Sequence, residues 1–180
     1  MVTLRQARGE DAVALSRLAA ETFRDGWAAL ITEAIAEAYV AEAFTPDRVA
    51  DEVSDPTSYV TVAVDADGNL VGYARVATAE KAVPDCVTGP QPVLLQRLYV
   101  ASAYHGQGVA DLLLADCVRE ALRRGGETLW LETEPGNRRA WRFYEKRCFV
   151  DVGSNVYALP GGVNDRIRVL QKRIAPSDEG

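Results

Sequence analysis

The stretch Leu94 to Leu114 constrains this chain more than any other. It opens with a largely apolar run, Leu94-Leu95-Gln96-Arg97-Leu98-Tyr99-Val100, of the length expected for a buried strand. A short turn, Ala101 to Tyr104, leads into His105-Gly106-Gln107-Gly108-Val109-Ala110. From Ala110 the period is helical, with Leu113, Leu114, Cys117, Val118, Ala121 and Leu122 on one stripe. A strand therefore feeds a glycine loop, and the loop opens a helix. The first N–H groups of such a helix have no intrahelical partner, and the macrodipole adds roughly +0.5 charge there. Gly106 and Gly108 carry no Cβ, so an anion can approach bare main chain. The construction to expect is a main-chain cradle suited to a pyrophosphate.

The remaining segments arrange themselves around that unit. Val2 to Arg8 alternates apolar and polar as a strand does, and Gly9-Glu10-Asp11 starts a helix with Leu15, Leu18, Ala19, Thr22 and Phe23 on one face. The spacing predicts a break near Asp25-Gly26 and a second helix carrying Trp27, Leu30, Ile31, Ala34, Ile35 and Ala38. Thr45-Pro46 is an N-cap followed by proline, opening a short helix that Asp55-Pro56 ends. Tyr59–Val64 and Leu70–Thr78 form a hairpin about the turn Asp65 to Asn69. Ala79 to Pro92 reads as a loop. Beyond the central helix, which Arg123-Arg124-Gly125-Gly126 stops, lie a strand at Thr128–Glu134 and a helix from Asn137 to Arg147. Closing strands at Phe149–Leu159 and Arg166–Ile174 flank a Pro160-Gly161-Gly162 loop, and a frayed tail runs from Ala175. This order describes one α/β domain, residues 1–180, with a mixed sheet.

Composition removes several classes of function. A net charge of −6 argues against a nucleic-acid surface and favours a cationic substrate. Cys86, Cys117 and Cys148 show no metal-ligand spacing, so no metal is expected, and an odd count speaks against a disulfide framework. No apolar run approaches the roughly 20 residues that cross a bilayer, and no signal-peptide pattern opens the chain. The expectation is a cytoplasmic protein without membrane contact.

Two ligand readings of the glycine loop compete with a plain turn. Gly106-x-Gly108 begins like a dinucleotide fingerprint, but Asp111 stands at the third glycine and an antiparallel hairpin precedes the loop. The other reading uses the neighbouring residues. Leu98-Tyr99-Val100 followed by a loop with Gly108 and Ala110 resembles the acetyl-CoA motif Gln/Arg-x-x-Gly-x-Gly/Ala of the GCN5-related N-acetyltransferases, the GNAT superfamily. His105 stands where that pattern has Gln or Arg, and an imidazole supplies one N–H. A second block, Asn137, Ala140, Phe143 and Tyr144, is similar to the superfamily's Asn-x-x-Ala-x-x-Phe-Tyr, with Cys148-Phe149 in place of its Gly-Phe. The resemblance spans essentially the whole chain.

The resemblance implies a GNAT fold, a mixed central sheet of about seven strands with flanking helices. It further implies a splay between two central parallel strands, here Leu94–Val100 and Thr128–Glu134. Pantetheine would enter that gap and satisfy N–H and C=O groups left unpaired on Leu98 and Val100. The N–H groups of Gly106, Gln107, Gly108, Val109, Ala110 and Asp111 would face the pyrophosphate, with Tyr99, His105 and Asn137 nearby. Direct transfer from acetyl-CoA to an amine then needs an oxyanion donor, assigned to the N–H near Leu98, and an acid for the departing thiolate, assigned to Tyr144. No carboxylate occupies Leu94, Gln96 or Arg97, so Glu132 and Glu134 compete with a water chain as base.

Acceptor selection is implied for the first two helices, where Phe23, Asp25 and Trp27 are candidates to hold a cation by charge and cation–π contact. Glu21-Thr22-Phe23-x-Asp25 and Tyr39-Val40-x-x-Ala43-Phe44 resemble the branch that includes bacterial spermine/spermidine acetyltransferases. The expected acceptor is thus a primary amine of a polyamine or similar small molecule. A protein N-terminal or lysine acetyltransferase and a noncatalytic acyl-CoA sensor are the alternatives. The terminal strand pair offers a surface for a homodimer.

Overall fold

The computed structural model describes residues 1–27, 29–78, 82–159 and 163–175. Its elements run β1 (Thr3–Gln6), α1 (Ala12–Trp27), α2 (Glu33–Ala43), α3 (Pro46–Ser54), β2 (Ser58–Val64) and β3 (Leu70–Ala77). They continue with β4 (Pro92–Val100), α4 (Val109–Arg123), β5 (Thr128–Thr133), α5 (Arg138–Glu145), β6 (Val150–Leu159) and β7 (Val163–Arg173). The strands form one seven-stranded sheet in the order β1-β2-β3-β4-β5-β7-β6. Among the described residues only the β4–β5 pair is parallel.

Two apolar layers cover the sheet. On one face Leu113, Cys117 and Ala121 of α4 pack with Val76, Leu95 and Leu131, and Tyr144 of α5 joins them. On the other, Leu15, Ala19 and Phe23 of α1 pack with Phe44, Val49, Val62 and Tyr73. The helical spacing in the sequence decides both contacts, because each stripe must find an apolar sheet face.

Three expectations need correction. The chain does not break at Gly26: α1 continues through Trp27, whose ring stacks on Phe23 at 5.3 Å. Glycine inside a helix costs about 1 kcal/mol relative to alanine, and the aromatic contact offsets it. The second helix starts only at Glu33, where the Thr32 hydroxyl accepts the Ile35 N–H. Trp27, Leu30 and Ile31 therefore form the end of α1 and the connecting turn. Finally, β7 begins at Val163 rather than Arg166. The Pro160-Gly161-Gly162 loop, the start of the loop at Ala79 and the tail from Pro176 lie outside the described residues.

The feature that positions the site is in β4. Arg97 lies opposite Arg75, but Leu95 lies opposite Val76, so Gln96 is an extra residue on β4. Such a bulge bends its strand and increases the local twist. Pairing with β5 stops just before it: Pro92, Val93 and Leu94 lie opposite Thr128, Leu129 and Trp130, and no later pair forms among the described residues. Both strands continue, diverging, to Val100 and Thr133.

Candidate active site

The backbone of β4 presents alternate residues to the gap. Ala101 donates its N–H to Val71 O at 2.9 Å, which fixes the side of β4 that serves β3. Counting back along the antiparallel ladder, the N–H and C=O groups of Leu98 and Val100 point away from β3 and into the splay. The Val100 carbonyl is not left unpaired, however, contrary to expectation. His105 Nε2 lies 2.8 Å from it, and His105 Nδ1 lies 2.8 Å from a terminal nitrogen of Arg139. The imidazole thus bridges β4 and α5.

Gly106 and Gly108 adopt φ values of +77° and +79°, a left-handed geometry that side chains resist. A Cβ at either position would meet no atom within 4 Å, so the space beside the loop is open. The N–H groups of Gly106, Gly108, Val109 and Ala110 donate to no backbone carbonyl among the described residues. Two members of the expected cradle are already used. Gln107 donates its N–H to Tyr104 O at 3.4 Å, and Asp111 donates to Gly108 O at 3.0 Å. The Gln107 amide folds back onto Ala103 O, and the Asp111 carboxylate pairs with Arg147. The cradle is narrower than the sequence implied because the turn entering α4 consumes part of it.

Loop, splay and α5 together enclose a cleft of roughly 400 Å³. Leu98, Tyr99, Val100, His105, Gly106, Gly108, Val109, Ala110, Asp111, Asn137 and Tyr144 all line it, and Gln107 does not. Asn137 caps α5, its side-chain oxygen accepting the Ala140 N–H at 3.1 Å. Tyr144 is 8% exposed, with its ring edge-on to Phe143 and Phe149. Burial pushes its hydroxyl well above the ordinary tyrosine range, so the group keeps its proton at neutral pH.

Sequence reasoning missed the cations of the cleft: Arg139 and Arg142 of α5, and Lys146 and Arg147 in the turn after it, line one wall. The signal was available, since Arg138 to Arg147 holds five basic residues in a chain of net charge −6.

The acceptor-side candidates are scattered. Phe23 is buried in a ring cluster, 4.5 Å from Tyr39, and does not reach the cleft. Asp25 opens onto a separate shallow groove between α1 and α2. Trp27 Nε1 donates to the Tyr99 hydroxyl at 3.3 Å, and neighbouring Gly26 lines the cleft. Glu132 accepts from Asn155 Nδ2 at 2.9 Å, and Glu134 accepts the Gly136 N–H. Neither glutamate lines the cleft. A Cβ on Gly136 would sit 2.8 Å from both Glu134 Oε2 and Leu30 Cδ2, so the β5–α5 turn packs against the α1–α2 turn. On β4 itself Arg97 is half-buried, paired with Glu52 of α3 and placed over the Phe44 ring.

Comparison with known proteins agrees with this geometry. Residues 15–149 match the model of the acetyltransferase (GNAT) family, and the chain belongs to that family. It is an acetyltransferase whose acetyl donor is acetyl-CoA, and the open main-chain cradle beside the splay fits that group. An uncharacterised N-acetyltransferase of Mycobacterium tuberculosis is 29% identical over 83% of this chain and 89% of its own. Streptothricin acetyltransferase of Streptomyces lavendulae is 29% identical over 72% of this chain and 66% of its own. The PaiA N-acetyltransferase of Thermoplasma acidophilum, solved with coenzyme A, superposes with a TM-score of 0.74. That match is 19% identical and covers 96% of this chain and 99% of that one. Among the described residues no helix is long and apolar enough to cross a membrane.

Proposed function

We propose that the protein acetylates a primary amine of a small cationic molecule, with amine and acetyl-CoA bound together in the splay. The observation that carries the reading is the end of β4–β5 pairing at Leu94, beside a loop with four N–H groups that reach no backbone carbonyl among the described residues. Acetyl-CoA supplies the activated acyl thioester. The loop N–H groups hold its diphosphate, and the Leu98 N–H, facing the gap, donates to the acyl oxygen. As the amine nitrogen bonds to the acyl carbon and the C–S bond breaks, Tyr144, held protonated by burial, would give its proton to the departing sulfur and recover one from the nitrogen that becomes the amide. Asn137, already spending its oxygen on the helix cap, has its amide N–H groups left for the cofactor.

No carboxylate of β4 serves as base. The acceptor amine, of ordinary pKa near 10.4, loses its proton to water at a cost of about 1.36 kcal/mol per pH unit below that value. A cationic acceptor is supported by the Tyr99 ring, which lines the cleft beside Gly26 of α1. The Streptomyces relative is named for streptothricin, which joins the polyamines in the test. Thiol release from acetyl-CoA is measured with spermidine, putrescine, streptothricin, amino sugars and lysine-terminated peptides. Turnover of one or more of the small amines is expected, and turnover confined to peptides overturns the acceptor assignment.

A further inference from the structure

His105 opens the glycine loop, and both of its ring nitrogens are committed. Arginine can only donate hydrogen bonds, so the nitrogen facing Arg139 is the acceptor and bears no proton. The proton therefore sits on Nε2 and is given to the Val100 carbonyl, which β4 holds in place. A strand carbonyl thereby orients an imidazole, and the imidazole orients a guanidinium. That contact uses a single N–H of Arg139, leaving the rest of its planar fork for the cleft that it lines with Gly106 and Gly108.

The placement of Arg139 is otherwise unfavourable. Arg138 and Arg139 begin α5, and no acid accompanies them in its first turn. A helix start carries the positive end of the macrodipole and disfavours cations. Arg142, Lys146 and Arg147 crowd further positive charge onto the same wall, and among the described residues only Arg147 of these pairs with an acid lining the cleft, Asp111. An anion in the cleft relieves this arrangement.

We infer that Arg139 is a ligand of the diphosphate of CoA and that His105 is its positioning residue, tying the guanidinium to the end of β4. The inference rests on the acetyl-CoA reading above, and the two fail differently. Titration calorimetry with CoA and with 3′-dephospho-CoA, which shares the diphosphate, tests it. Arg139→Ala is expected to weaken both ligands by about tenfold or more, the scale of a charge-assisted contact. Arg138→Ala, outside the cleft, should stay within about twofold of wild type. His105→Ala should reproduce part of the Arg139→Ala loss, and the double variant should bind no worse than Arg139→Ala alone, because the two act in series. His105→Gln keeps a donor and an acceptor and should bind as wild type. Arg139→Lys, which keeps charge without the fork, supplies the measurement if the alanine variant does not fold, with an intermediate loss expected.

Arg139 variants that bind CoA as wild type overturn the inference. So do additive losses in the double variant, or a loss seen with CoA and absent with 3′-dephospho-CoA. Wild-type protein without affinity for CoA refutes the functional reading instead.

Discussion

Leu94 lies opposite Trp130, and it is the last residue of β4 to pair with β5 although β4 runs six residues further, to Val100. Everything the site offers the acyl group follows from that early separation. Within the unpaired part, the Leu98 N–H faces the gap and serves no ladder bond to β3.

Proline at position 98 removes that N–H without breaking the β3 side of the ladder. Leu98→Pro is therefore expected to fold and to lose roughly 10²- to 10³-fold in kcat, the cost of deleting one oxyanion donor. Leu98→Ala forfeits the same packing but keeps the N–H, and should retain most of the activity. Equal losses in the two variants would assign the effect to packing.

Tyr144 gives a second kinetic signature. Tyr144→Phe keeps the edge-on contacts with Phe143 and Phe149 and removes only the hydroxyl with its proton. A kcat lowered roughly 10²- to 10⁴-fold with unchanged affinity for CoA is the expected result. Because burial raises the hydroxyl pKa, its ionisation should produce no falling limb in the pH profile of wild-type kcat up to about pH 10. Deprotonation of the acceptor sets the opposite limb: kcat/KM should climb about tenfold per unit until the amine's own pKa. A fall in kcat between neutrality and pH 9 would contradict the acid role.

Gly108 and Gly125 offer a matched pair for the cradle. Both have φ of +79°, and a Cβ at either would meet open space. Alanine at each should cost a similar stability, about 1–2 kcal/mol, from the left-handed backbone alone. Only Gly108→Ala re-aims N–H groups at the start of α4, so only it should weaken CoA, by roughly tenfold, in a titration with both variants. Equal affinities would show that the loop main chain does not grip the cofactor.

Much of this architecture was legible where a residue type forces a local geometry. The Thr45-Pro46 start of α3, the hairpin turn in which Asp65 accepts the Asn69 N–H, and the glycine entry to α4 are each written in a few adjacent residues. The residues gathered from β4, the loop and α5 line one cleft because two local motifs, far apart in sequence, face the same gap. What stayed illegible depends on contacts between distant segments. Gln96 becomes a bulge only through its register with β3. The continuation of α1 past Gly26 rests on the stacking of Trp27 on Phe23 and on Tyr99 reaching from β4 to the indole. Phe23 matched an acceptor-side pattern, yet Tyr39 and Phe44 surround it, and a ring so enclosed serves packing. The bridge from His105 to Arg139 joins residues 34 positions apart, and no spacing rule foretells it.

Cys148 holds a backbone conformation that glycine adopts more readily. It follows α5 at the position where the superfamily's pattern has glycine, and its φ of +63° is the left-handed conformation that closes a helix. The turn forms regardless: Phe149 donates its N–H to Tyr144 O at 3.1 Å, and the Phe149 ring packs on Tyr144. A side chain held left-handed costs roughly 1–2 kcal/mol relative to glycine, partly regained because glycine loses more entropy on folding. Cys148 is exposed, so removing the thiol forfeits little burial. Cys148→Gly should thus stabilise the protein by about 0.5–1 kcal/mol, read as a rise in Tm of roughly 1–4 °C for a chain of this size. Because Phe149 anchors the ring of Tyr144, kcat should be unchanged or slightly higher. A lower Tm would show that the thiol makes a stabilising contact outweighing the strain.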